Sequence, residues 1–135
     1  MQKLRLVGAL FIAALLLASC GRNNPMVNIV DAPTDARSSA NLEMITEAIT
    51  RAGGHRGWSM KVLRPGLIRG DLDVHGKHQV QVDIIYNHDD FSITYVHSTN
   101  MNYNVRDGVP YIHPKFNRWI RILKEDIQDQ IAQVR

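Results

Sequence analysis

Residues 58–95, WSMKVLRPGLIRGDLDVHGKHQVQVDIIYNHDDFSITY, fall into four runs that alternate apolar and polar side chains. Trp58, Met60 and Val62 share a face in the first run, and Ile68, Leu72 and Val74 in the second. Val80, Val82, Ile84 and Tyr86 do so in the third, and Phe91, Ile93 and Tyr95 in the fourth. The other face collects Lys61, Arg69, Asp71, Asp73, Gln79, Gln81, Asp83 and Thr94. Because strand side chains alternate with period two, the pattern predicts four strands of an antiparallel sheet buried on one side. The runs are separated by Arg64-Pro65-Gly66, His75-Gly76-Lys77-His78 and Asn87-His88-Asp89-Asp90, all rich in turn formers. Such short connections imply a meander. A slip of one residue inverts every side chain, so matching the apolar faces sets the register: Val62 opposite Ile68, Val74 opposite Val80, Tyr86 opposite Phe91.

Amphipathic segments flank this block. Upstream, Leu42, Ile45, Ala48, Ile49 and Ala52 line one helical face, with Glu43, Glu47 and Arg51 on the other. Ser38 or Ser39 can cap the start and Gly53-Gly54 can end it, which predicts a helix over about 39–52. Downstream, Pro114 suits a first helical turn, and Phe116, Trp119, Ile120, Leu123, Ile127 and Ile131 cover an arc of roughly 120° at 3.6 residues per turn. This predicts a second helix over 114–133. Two such helices and one half-buried sheet combine economically when both helices cover the apolar face. The expectation is an α+β two-layer sandwich over 38–135: a four-stranded antiparallel meander with two helices on one face, in the order α-β-β-β-β-α.

The chain begins differently. Lys3 and Arg5 precede an apolar run from Leu6 to Leu17, in the layout of a secretory signal peptide. Twelve helical residues rise only about 18 Å against a hydrocarbon core of about 30 Å, so the run is a poor permanent span. Its last residues, Leu17-Ala18-Ser19-Cys20, resemble the lipobox of bacterial lipoproteins. That resemblance implies cleavage of residues 1–19, a diacylglycerol thioether on Cys20 and an acyl chain on the freed amine. Two or more chains hold a protein stably on a membrane. Gly21 stands where an Asp would resemble an inner-membrane retention signal, which favours the outer membrane. Residues 20–37 mix Asn, Asp, Pro and Gly without a sustained period. They read as the lipidated cysteine and a flexible tether spanning roughly 20–25 Å, with an edge strand over Met26–Val30 as the alternative.

Composition narrows the function. Of 135 residues, 16 are Lys or Arg and 13 Asp or Glu, but two of the cations leave with the signal peptide. The mature chain is close to neutral and has no basic block, which gives no footprint for nucleic acid. The single cysteine, Cys20, is taken by the lipid, so it is not a nucleophile, a metal ligand or half of a disulfide. G-x-S-x-G, H-E-x-x-H and P-loop strings are absent, and no catalytic residue emerges.

Three groups remain for binding. The predicted register carries His75, His78 and His97 to one end of the sheet, with His97 opposite Val80 and His55 opposite His75. Neutral imidazoles there, with or without Asp73, form a candidate zinc, copper or nickel site. His113, Lys115 and Arg118 cluster at the predicted start of the second helix, where free N–H groups favour an anion: a phosphate, a lipid headgroup or a glycan carboxylate. Tyr103 and Tyr111, among Asn100, Asn102 and Asn104, are the aromatics left for recognition once Trp58 and Trp119 fill the core.

The strings Ala52–Met60, Pro65–Ile68, Val82–Ile84, Phe91–Tyr95, Ser98–Asn100 and Ile112-His113 with Asn117–Trp119 resemble a group of short, uncharacterised proteobacterial lipoproteins. The resemblance implies location and fold and assigns no activity. The leading expectation is a non-enzymatic envelope lipoprotein without a cofactor, held by its lipid on the outer membrane and presenting its polar sheet face or the 98–111 loop to a protein or the cell wall. The rivals are a periplasmic metal or small-ligand binder using the histidine end and, behind it, an envelope hydrolase.

Overall fold

The four alternating runs do form consecutive antiparallel strands, but they are not the whole sheet. The structure, a computed structural model, describes residues 23–135; Cys20 and the signal segment lie outside them. In chain order the elements are β1 (Asn24–Pro25), β2 (Ile29–Pro33), α1 (Leu42–His55), β3 (Ser59–Arg64), β4 (Leu67–Val74), β5 (His78–Tyr86), β6 (Asp90–Thr99), β7 (Asn104–Arg106), β8 (Val109–Ile112) and α2 (Pro114–Ala132). The fold is α+β with two antiparallel sheets, one of five strands in the order β2-β6-β5-β4-β3 and one of three in the order β1-β8-β7.

The tether is where expectation and structure differ most. Asn24 and Pro25 pair with Ile112 and Tyr111, and Ile29, Ala32 and Pro33 pair with Ile93, Phe91 and Asp90. The segment is too poor in apolar residues to show a period, and its order comes from polar partners supplied by distant elements. The key partner is Asn117, only 4% exposed on the apolar face of α2. Its Nδ2 donates to Pro25 O at 2.9 Å and its Oδ1 accepts from Val27 N at 2.8 Å, so one side-chain amide serves the backbone as a neighbouring strand would. Asn23 Nδ2 donates to Asn102 O at 2.6 Å and Gln128 Nε2 to Pro33 O at 3.0 Å. Buried Thr34 donates its hydroxyl to His88 O.

Helix α1 starts and stops three residues later than its sequence signals suggest. Asn41 rather than a serine is the N-cap, its Oδ1 accepting from Met44 N at 2.9 Å. Gly53 and Gly54 lie inside the helix, and the left-handed stop is Gly57, with φ +84°. Gly57 N donates to Gly54 O and Trp58 N to Gly53 O, the pair of bonds of a Schellman closure. Gly53 serves packing instead: a Cβ there would stand 2.5 Å from Met60 Sδ, and one on Gly70 would stand 3.2 Å from the same sulfur. Two glycines thus let Met60 enter between α1 and the sheet.

Register matches expectation in the first and third hairpins of the predicted meander, with Val62 opposite Ile68 and Tyr86 opposite Phe91, but not in the second. Val74 pairs with His78 and Leu72 with Val80, two residues from the expected match. The cause is the turn: His75 and Gly76 both have positive φ, 57° and 67°, and Lys77 N donates to Val74 O, a tight hairpin of the primed type. In β6 a bulge at Val96 separates the pairs Val82–Tyr95 and Gln81–His97, so His97 stands opposite Gln81 rather than Val80.

One apolar cluster joins the elements. It includes Ile45, Ile49 and Ala52 of α1, Ile68, Val82, Ile84, Phe91 and Ile93 of the sheet, and Phe116, Ile120, Leu123, Ile127 and Ile131 of α2. Each large side chain buried this way contributes roughly 1.5–3 kcal/mol before conformational entropy is subtracted. No helix among the described residues is long and apolar enough to cross a membrane.

Candidate functional site

The bulge in β6 starts an irregular passage that shapes an open cleft beside the large sheet. Beyond it the chain turns at Asn100 and Asn102, which take left-handed φ of 58° and 52°, a conformation asparagine tolerates better than most residues. Between them Met101 is 1% exposed and plugs the core, while its carbonyl accepts from His113 N at 2.8 Å. Asn100 ties the turn to the β4–β5 hairpin: its Nδ2 donates to Lys77 O at 2.7 Å, and its carbonyl meets His78 Nδ1 at 2.9 Å.

Tyr103 comes back over Tyr95 and stacks on it, with ring centroids 4.5 Å apart and planes 14° from parallel. Phe116 meets the same Tyr95 edge-on at 5.8 Å, and the Tyr95 hydroxyl bonds Ser98 Oγ at 2.8 Å. Tyr95, His97, Ser98, Asn100, Asn102 and Tyr103 line an open cleft of about 770 Å³. These side chains offer ring faces, amides, hydroxyls and one imidazole, a set that recognises by stacking and hydrogen bonding.

His97 also borders a second depression, about 370 Å³, on the polar face of the large sheet. Strand pairing sets Ser59, Asp71, Gln81 and His97 in one row across it. The carboxylates in this face are occupied. Gln81 Nε2 donates to Asp71 at 2.8 Å, and Asp73 accepts from Gly76 N at 2.7 Å and Gln79 Nε2 at 3.1 Å. Arg69 grips Asp83 with two bonds of 2.9 and 3.0 Å. The face is therefore a network of mutually satisfied polar side chains.

The predicted histidine trio is not brought together. His78 is on the same face of β5 as Val80, Val82 and Ile84, with its ring 6.1 Å from that of His113. His97, opposite Gln81, is on the other face, and His75 is on the exposed hairpin turn. His55 ends α1 rather than facing His75. Among the described residues no three His, Cys, Asp or Glu side chains are grouped to hold a metal. The separation comes from the tight turn and the bulge, neither of which leaves a mark in the alternation itself.

The start of α2 is partly self-satisfied. His113 is the N-cap, and its Nδ1 accepts from Lys115 N at 3.1 Å, so the imidazole already fills one place an anion would take. Burial, then the Lys115 charge and His78, lower the His113 pKa from its ordinary value and favour the neutral ring that this bond requires. Lys115 and Arg118 are exposed. Tyr111 is covered by the Arg106 guanidinium, 4.2 Å from the ring centroid, which leaves Tyr103 as the recognition aromatic. Sequence reasoning missed Tyr95 as its partner, having assigned that ring wholly to the core; the only signal was the alternating Asn100, Asn102 and Asn104 beside it. No family model, curated protein or solved structure matches the chain.

Proposed function

We propose that the chain is a lipid-anchored envelope lipoprotein of the bacterial outer membrane that works as a non-enzymatic binding or structural module. The observation that carries this reading is Leu17-Ala18-Ser19-Cys20, a lipobox in the right order and position behind a charged start and an apolar run too short to span. The domain is held as a two-layer sandwich with α1 and α2 on one face of the meander. That leaves the polar sheet face and the Tyr95–Tyr103 cleft for an envelope partner. The cleft suits a glycan or peptide of the cell wall, because its lining stacks and hydrogen-bonds and the neighbouring carboxylates Asp71 and Asp73 are already engaged by the Gln81 and Gln79 amides.

The test is chemical. Expression in a bacterium fed labelled palmitate should label the chain, and mass spectrometry of the mature N-terminus should find acylated Cys20. Cys20→Ser should abolish both. A mature chain that begins elsewhere or carries no lipid removes the reading. For the cleft, purified cell-wall sacculi should retain the unacylated Cys20→Ser chain, and Tyr103→Ala should weaken retention by about fivefold to tenfold, the loss of one stacking contact of about 1 kcal/mol or slightly more.

A further inference from the structure

If Cys20 is acylated, the anchor also orients the domain. We propose that the end formed by Asn23, Asn102, the His78–His113 pair and the first turn of α2 lies against the phospholipid headgroups. The proposal rests on the lipoprotein reading and adds a docking surface to it. Only Gly21 and Arg22 separate Cys20 from Asn23, three residue steps with a reach of at most about 11 Å at full extension. The chain leaves the domain at a fixed point. Asn23 Nδ2 is bonded to Asn102 O, Asn24 pairs with Ile112, and Pro25 O is held by buried Asn117. A tether of 17 residues leaves a domain free to tumble; a link this short, from an exit this firmly held, does not.

The surface at that exit is complementary to phosphate. Lys77 and Lys115 are exposed there, and neither forms an ion pair among the described residues. The first turn of α2 carries no acidic side chain, so the partial positive charge of the helix start adds to theirs. Asp73, on the strand leading into the same hairpin, is held by Gly76 N and Gln79. The other end of the molecule is distant: the 19 residues of α2 rise about 28 Å, and the nine of β5 extend about 30 Å to the Asn87–Asp89 turn.

Because the sole native cysteine is acylated, an introduced cysteine is a unique labelling site. The full-length lipoprotein, purified from membranes, is reconstituted in phosphatidylethanolamine–phosphatidylglycerol vesicles that carry a headgroup-attached quencher. A fluorophore at Asn102→Cys or Lys115→Cys should be quenched at least twofold more than one at Asp89→Cys or Gln133→Cys. Lys77→Glu with Lys115→Glu should at least halve the excess measured at Asn102→Cys. Protein that floats with the vesicles but is quenched equally at all positions, or more at Asp89, overturns the orientation. An unchanged excess in the charge-reversed chain overturns the role of the lysines, and protein that fails to float overturns the anchor itself.

Discussion

Replacing Asn117 tests whether one side-chain amide holds the segment at Pro25–Val27 in place. In Asn117→Ala, Val27 N–H and Pro25 C=O lose their partners together. A buried group left unsatisfied costs about 1–3 kcal/mol. This segment is only partly buried, so the low end applies to each of the two. Alanine recovers up to about 0.7 kcal/mol of helix propensity, while the lost volume costs something of the same order. The net is about 2 kcal/mol, or a fall in Tm of about 8 °C for a domain this size. Asn117→Leu separates the causes, because it restores volume and propensity but not the hydrogen bonds. It should cost nearly as much as alanine. Urea unfolding followed by the fluorescence of Trp58 and Trp119 measures the global term. Hydrogen exchange measures the local one, with the Val27 amide expected to exchange at least tenfold faster in both variants. A leucine variant as stable as the parent, with Val27 still protected, would refute the reasoning.

Four further outcomes follow from the geometry. Three glycines near the end of α1 should respond differently to alanine. Gly54→Ala, in open space within the helix, should stabilise by up to about 1 kcal/mol, whereas Gly57→Ala, at φ +84°, should destabilise by about 1–2 kcal/mol; thermal melts read both. Gly53→Ala should destabilise because its Cβ meets Met60 Sδ, and Met60→Ala in the same chain should relieve much of that loss; a purely additive double mutant would contradict the contact. His113 has a depressed pKa, so the stability it contributes is complete above about pH 6.5 and is lost as pH falls toward and through its folded value; His113→Asn should flatten that slope in urea midpoints between pH 8 and 5. His88 has the opposite sign. The Asp89 bond, then the Arg37 carbonyl, raise its pKa, so its contribution is present below about pH 6.5 and fades as pH rises through the folded value, and His88→Gln should remove that fade.

Much of the large sheet can be read from its alternation. Burial of one face leaves a period of two at Val80, Val82, Ile84 and Tyr86, and α2 leaves its own stripe from Phe116 to Ile131. What escapes such reading is whatever depends on a distant polar partner or on a single backbone angle. The strands at 24–25 and 29–33 are ordered by Asn117, Asn102 and the edge of β6, none of which marks the local sequence. The two-residue error at Val74 arises from His75 and Gly76, both at positive φ, inside a segment that composition identifies only as a turn. The surface is the least legible part. The Tyr95–Tyr103 stack requires the Val96 bulge and two left-handed asparagines at once, so the cleft could not be seen in any one of them.

The early strands also impose an order in time on folding. Val27 is bonded to a residue 90 positions later, and Asp31 to one 61 positions later. A chain that emerges N-terminus first cannot close these loops until β6, β8 and the start of α2 have followed, and long loops close slowly. Residues 24–33 appear early and are thus among the last to be placed. Under the export proposed above, such a chain would enter the membrane without a complete sheet to jam in transit, and cooperative closure would be deferred to the far side.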